Sequence, residues 1–219
     1  MQSFKLTPLF LLVSLLISSS CVSNASESQN LHTSIKKTFP RDLKLDTATF
    51  AGGCFWCIEA VMQRVKGVIK VESGYSGGLV PGYPTYREVC SGLTGHAEVV
   101  RVTFENEEIS LRDLLTIFMT LHDPTQLNGQ GADLGTQYRS VIYYQSDDQR
   151  ATADAVFIEL KDYFDAPLVT EISPALPFYL AEADHHDYYN QNSQAGYCRA
   201  VIQPKLTKLR SKYVDRFVE

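Results

Sequence analysis

The chain has 219 residues, 44% of them hydrophobic, and a formal net charge of −5. That is enough apolar material for one sizeable core, and the composition fits neither a disordered chain nor a collagen-like repeat. The acidic balance argues against nucleic acid or an anionic membrane surface as the main partner and points to a small solute or an exposed protein side chain.

Residues 1–25 differ in kind from the rest. Lys5 precedes the apolar run Leu9 to Ile17, and Ser18-Ser19-Ser20-Cys21 follows. This reads as an export signal directing the chain to the periplasm, since the run is too short to span a bilayer. Two processing routes stay open. Cleavage after Ala25 releases a soluble protein, whereas cleavage before Cys21 resembles a lipoprotein signal and leaves a lipid anchor. Ser18, where the lipoprotein pattern prefers a leucine-like residue, favours the soluble route. Residues 26–42 are polar without apolar period, a linker or arm, and residues 43–219 are expected to form a single catalytic domain.

Thr47 to Ala51 is a predicted strand that breaks at Gly52-Gly53 and passes through Cys54 into a helix, with Ile58, Val61, Met62 and Val65 at helical spacing before Gly67. Ile69 and Val71 alternate with Lys70 and Glu72 in a second strand, expected to end in a glycine-rich turn from Gly74 to Gly78. His96 to Phe104 is a third strand. Ser110 then caps a helix carrying Leu111, Leu114, Leu115 and Phe118, Asp123 to Gln137 is a loop, and Arg139 to Tyr144 is a fourth strand. The order βαββαβ predicts an α+β fold, a ferredoxin-like two-layer core with helices on one face of the sheet. Beyond it, Ser146 and Gln149 suggest a capping box for a helix to about Phe164, and Leu168 to Ile172 a short strand. The rest is a long, partly irregular C-terminal covering segment ending in an amphipathic helix from Leu206 to Phe217.

Cys54 is the first candidate nucleophile. A helix start offers unpaired N–H groups and the positive end of the dipole, which lower a thiol's pKa. Its bland alternative is ordinary core packing of Cys54, Phe55, Trp56 and Cys57. Glu98 shares a strand face with Val100, Val102 and Phe104, and a carboxyl on an apolar face holds its proton to higher pH. Its alternatives are a solvent-facing glutamate or an ion pair with Arg101. Tyr86 and Tyr138 flank the same region and can hydrogen-bond an oxygen that gains charge, although among twelve tyrosines packing is the better prior for any one. Asp133 sits in a glycine-rich loop where Asp is also a routine turn residue. Cys198, two residues after Gly196 in the irregular tail, can be a resolving thiol or a buried structural cysteine.

Cys54 and Cys57 also form Cys-x-x-Cys, the arrangement of a thioredoxin-like thiol–disulfide oxidoreductase. Against this, no proline falls between Pro84 and Pro124 to supply the loop such folds set against the pair. Zinc bound by Cys54, Cys57, Cys90 and the His185-His186-Asp187 cluster lacks a second close-spaced pair. His96-Ala97-Glu98 lacks the downstream Pro-Cys-x-x-Cys of a deaminase. His185 and His186 read as tail packing or surface.

Taken in order, Gly53-Cys54-Phe55-Trp56, Gly74-Tyr75-Ser76-Gly77-Gly78, Pro84 to Gly92, Gly95-His96-Ala97-Glu98, His122-Asp123-Pro124 and Gly135 to Ser140 resemble the class A peptide methionine sulfoxide reductases over about Thr47 to Cys198. The resemblance implies that Cys54 attacks the sulfoxide sulfur and Glu98 protonates its oxygen. It implies that Tyr86 and Tyr138 bind that oxygen, Asp133 orients the polar end, and Phe55 with Trp56 holds the methyl group. It further implies resolution of the Cys54 sulfenic acid by Cys198, a thioredoxin-like external reductant with no bound cofactor or metal, S-epimer specificity, and a monomer acting on oxidised proteins or free methionine sulfoxide. The sequence departs from many relatives at Cys57, where they carry glycine, so Cys57 stands as a second candidate resolving thiol.

Overall fold

The computed structural model describes residues 43–218; the export signal, Cys21 and the arm before residue 43 lie outside the described residues. Six strands form the main sheet: β1 (Leu45–Ala51), β2 (Val68–Ser76), β3 (Ala97–Glu105), β6 (Val141–Tyr144), β7 (Glu171–Pro174) and β8 (Tyr179–Leu180). A separate small hairpin pairs β4 (Gly129–Gln130) with β5 (Asp133–Leu134). The sheet order is β7-β6-β1-β3-β2-β8, antiparallel throughout except for the parallel pair β6–β7. The helices are α1 (Phe55–Met62), α2 (Tyr86–Cys90), α3 (Leu111–Leu121), α4 (Asp147–Leu160), α5 (Tyr188–Gln191) and α6 (Gln203–Lys212).

The fold is therefore mixed α and β with a mostly antiparallel sheet. The period of two along β3 sorts its side chains. Val100, Val102 and Phe104 join the core beneath α1 and α3, while Ala97 and Val99 pack on the opposite face with Ala51, Val141 and Tyr143. Phe178, from the covering segment, closes that second face. Below α3, the Phe118 ring lies 4.6 Å from Phe50, a contact worth about 0.5–1.5 kcal/mol beyond its buried area. Ser110 caps α3 by accepting from the Asp113 N–H at 3.1 Å. α1 is buried at every position except Trp56, because α5 and α6 cover the side that a surface helix would leave to water.

Several boundaries differ from the sequence expectation. β2 runs straight through Gly74-Tyr75-Ser76, where a turn was expected. A β-carbon on Gly74 would collide with the Tyr179 carbonyl and the Phe178 ring, so this glycine marks a close approach between β2 and β8, not a bend. The capping pair at α4 is shifted: Ser146 accepts from the Gln149 N–H, but Gln149 Oε1 accepts from the N–H of Gln145. α4 ends at Leu160, the strand after it is β7 from Glu171, and the last helix spans Gln203–Lys212 after a π-helical turn at Cys198–Ile202.

Candidate active site

The turn between β1 and α1 is built on two glycines with different jobs. Gly53 has φ +92°, a left-handed value that favours glycine, and a β-carbon there would stand 2.7 Å from Gln130 Cβ. Gly52 lets the His122 ring approach to 3.0 Å of where its β-carbon would be. His122 is buried and fixed at both nitrogens, Nδ1 2.9 Å from the Phe118 carbonyl and Nε2 2.7 Å from Ser140 Oγ. Burial holds its pKa down at about 4, so the ring is neutral when it supports the turn.

Cys54 occupies the cap position of α1, as its sequence setting implies, but its side chain caps nothing. The first N–H of the helix, on Phe55, donates to Glu98 Oε2 at 3.0 Å. The pKa direction is opposite to the helix-start expectation. Burial, the Cys57 thiol one turn on and the Glu98 carboxyl all raise Cys54 well above the ordinary thiol range. Cys57 moves the other way, to about 7, because the Cys54 thiol donates to it and Lys205 on α6 adds positive potential. The two sulfurs titrate as a pair.

Glu98 is fully buried on the face predicted for it, opposite Tyr75 in the β2–β3 register. Arg101 does not pair with it, and instead grips Glu72 at 3.0–3.1 Å. Desolvation pushes the Glu98 pKa up to about 8, against the opposing pull of the Phe55 N–H, so the carboxyl is protonated at neutral pH. Its Oε1 is buried with no hydrogen-bond partner among the described residues.

Tyr86 opens α2, held by a Thr85–Glu88 capping box. Its N–H donates to Glu182 at 2.7 Å, and the other oxygen of Glu182 accepts from the Tyr75 hydroxyl at 2.7 Å. Tyr138 ends the 3₁₀ turn Thr136–Tyr138, and its carbonyl accepts the Gly53 N–H at 3.1 Å, tying this turn to the Cys54 turn. Burial and the neighbouring Glu98 raise both phenols above their ordinary range, keeping them as donors.

Around these groups stands an aromatic wall. The Phe55 ring is buried 6.2 Å from Tyr86, and Trp56 stacks at 3.8 Å and 8° on Tyr188. His185 fills the angle between Phe55, Trp56 and Tyr86, at 5.5, 5.6 and 4.2 Å. Asp133 Oδ2 accepts from the Tyr197 hydroxyl at 2.7 Å, and that hydroxyl also lies 3.6 Å from Cys57 Sγ. Cys198, the next residue, is buried at the start of the π-helical turn that packs on α1, and burial raises its pKa.

Sequence reasoning missed Glu182, His185, Tyr188 and Tyr197 as site residues. The covering segment that carries them has no period to read, and only its density of aromatic and ionisable residues marked it. Cys54, Cys57, Cys90 and Cys198 are all free thiols. The zinc arrangement does not assemble, since no three metal-ligating side chains stand together among the described residues.

The peptide methionine sulfoxide reductase family model matches residues 46–217. A Deinococcus radiodurans protein named peptide methionine sulfoxide reductase MsrA is 57% identical over 173 residues, 78% of this chain and 84% of that protein. The Saccharolobus solfataricus protein of the same name is 51% identical over 172 residues, covering 78% and 97% respectively. Among solved structures, reduced Mxr1 from Saccharomyces cerevisiae superposes with a TM-score of 0.66 at 34% identity, covering 70% of this chain and 89% of that one. With the family model matched over residues 46–217 and two named relatives 51% and 57% identical over 78% of the chain, the chain belongs to the peptide methionine sulfoxide reductase family, oxidoreductases that reduce methionine sulfoxide to methionine.

Proposed function

We propose that Cys54 is the nucleophile and Glu98 the proton donor. The observation that carries this is the Glu98 carboxyl, buried and protonated, tied to the residue directly after Cys54. Sulfoxide oxygen leaves sulfur only when protonated, so a neutral acid beside a thiolate is the requirement. Cys57, the thiolate of the pair, takes the Cys54 proton as the Cys54 sulfur bonds to the sulfoxide sulfur. Glu98 delivers its proton to the oxygen, Tyr86 and Tyr138 donate to that oxygen as charge develops, and the oxygen ends on Cys54 as sulfenic acid while methionine departs. Phe55 and Trp56 hold the methyl group, and Asp133, set by Tyr197, orients the polar end of the substrate.

Cys198 then attacks the sulfenic sulfur, water leaves, and a disulfide forms that a thioredoxin-like dithiol reduces. Cys57 is the competing resolving thiol, because it is the cysteine one helical turn from Cys54 and the one whose pKa is lowered. The substrates are oxidised proteins or free methionine S-sulfoxide. The ferredoxin-like description of the core is supported by the antiparallel order β6-β1-β3-β2 within the sheet. Residues 43–219 act as one catalytic domain and as a monomer, with export to the periplasm, in soluble or Cys21-anchored form, argued from residues 1–25 alone.

The test is mass spectrometry of the purified protein after exposure to methionine sulfoxide. Methionine released with oxidation confined to Cys54 or a Cys54 disulfide supports the reading. A Cys54–Cys57 bridge with no methionine formed favours a thiol–disulfide oxidoreductase instead.

A further inference from the structure

We infer that Gln137 is a positioning residue that fixes the Tyr138 hydroxyl relative to that of Tyr86, an inference that rests on the oxygen-binding role proposed for those tyrosines. Gln137 is 5% exposed and sits in the turn that carries Tyr138, with its side chain reaching the helix that carries Tyr86. Its Nε2 donates at 3.3 Å to the carbonyl of Cys90, the last residue of the helix that Tyr86 opens. Gln137 is also the immediate neighbour of Tyr138, whose carbonyl is held by the Gly53 N–H at 3.1 Å. The amide therefore joins α2 to a turn that is itself joined to the Cys54 turn. Without it, the 3₁₀ turn keeps its anchor on the nucleophile's side and loses this one on the side of Tyr86.

The surroundings are shaped to this side chain. Gly135, two residues before, has φ 139°, and a β-carbon there would overlap the Gln137 amide. The amide is a poor choice if packing were its only task. Its Oε1 is buried without a hydrogen-bond partner among the described residues, and a buried unpaired acceptor lowers stability relative to an apolar side chain of the same shape. What the amide supplies is a directional bond to α2. Direction matters because two phenols must reach one oxygen, hydrogen bonds weaken steeply away from their best length and angle, and a misplacement of about 1 Å can slow a reaction about a hundredfold.

The experiment is a double-mutant cycle on the full chain, with Gln137→Met, Tyr138→Phe and the pair, read as kcat and KM for methionine sulfoxide with thermal melting alongside. Gln137→Met should lower kcat about tenfold, with KM changed less than about twofold, because the lost positioning is felt most in the transition state. In the Tyr138→Phe background the same substitution should change kcat less than about twofold. An equal loss in both backgrounds, or no loss in either, overturns the inference while leaving the tyrosine reading intact. If Tyr138→Phe alone leaves kcat/KM unchanged, the oxygen-binding reading itself fails and the inference with it, and the single variant shows that separately. Should Gln137→Met melt early, Gln137→Leu, a second apolar side chain without the donor, takes its place in the cycle with the same expected outcomes.

Discussion

The N–H of Phe55 donates to Glu98 Oε2 at 3.0 Å, so the residue after the nucleophile is tied to the buried acid. Glu98→Gln keeps the acceptor and the shape and removes only the transferable proton. Single-turnover reduction of methionine sulfoxide should slow by about 10²–10⁴-fold, the usual range for a lost general acid, with substrate affinity changed far less. The native enzyme should lose activity as pH rises through about 8, where Glu98 ionises. A Glu98→Gln rate equal to that of the native enzyme removes Glu98 from the acid role.

The same substitution has a signature in stability. The carboxyl titrates near its ordinary 4.5 in the unfolded chain and at about 8 in the folded one. Between those pH values the folded state keeps a proton that the unfolded state has released, so its stability contribution is fully present below 4.5 and is lost as pH rises toward 8. Glu98→Gln should therefore gain thermal stability over the native protein steadily from pH 5 to pH 8. A difference in Tm that does not change with pH would show that the buried carboxyl is not held neutral.

His122 bears the opposite sign. Its folded pKa of about 4 lies below the ordinary 6.5, so the unfolded chain takes up a proton that the folded chain refuses. The stability linked to the neutral ring is present above pH 6.5 and disappears as pH falls toward 4. His122→Gln should be less stable at pH 7, through loss of the bonds to Phe118 and Ser140, and should show a flatter acid limb in urea midpoints between pH 7 and 4.5. An acid limb as steep as the native one would mean that other groups set it.

Resolution is separable from the first chemical step. Cys198→Ser should form about one methionine per enzyme without added dithiol and then stop in the presence of thioredoxin. Thioredoxin-driven turnover that survives Cys198→Ser assigns resolution to Cys57 or to direct reduction of the sulfenic acid, and Cys57→Ser in that background should abolish it only in the first case.

Glu182 accepts from the Tyr86 N–H and the Tyr75 hydroxyl, both at 2.7 Å. Glu182→Ala frees the first turn of the helix that Tyr86 opens and should lower kcat by about tenfold, as a loosened donor to the developing charge would. Glu182→Gln should recover most of that loss by restoring an acceptor at the same place. A change in Tm with kcat intact would limit Glu182 to a structural role.

What the sequence made legible follows from local periodicity. The placement of Glu98 on the apolar face came from alternation along one strand, and Cys54 at a helix start came from the double glycine. The Cys54 pKa is not legible from the helix start because its rise comes first from burial beneath distant elements, then from the Cys57 thiol and from Glu98, forty-three residues from Phe55 in sequence. Gly74 suggests a turn in the sequence because its reason for lacking a side chain, Phe178 and Tyr179, lies about a hundred residues on. His185, Tyr188 and Tyr197 were hidden for the same cause, since their partners Trp56, Phe55, Cys57 and Asp133 belong to distant elements and a segment without period does not announce what it packs against.

The bond between Tyr197 and Asp133, and the contact of the same hydroxyl with Cys57 across 140 residues, have a temporal consequence. Closing so long a span is among the slower events in folding, because the chain entropy is lost before the contact is gained. The strands β1, β2, β3 and β6 and the helix α1 lie in the first two thirds of the sequence, but the thiol pair meets Tyr197 only when the tail docks. A chain whose tail has not docked thus carries Cys54 and Cys57 in an open helix start, exposed to oxidants without the groups that direct their chemistry, and becomes a selective reductase in the final step of its own folding.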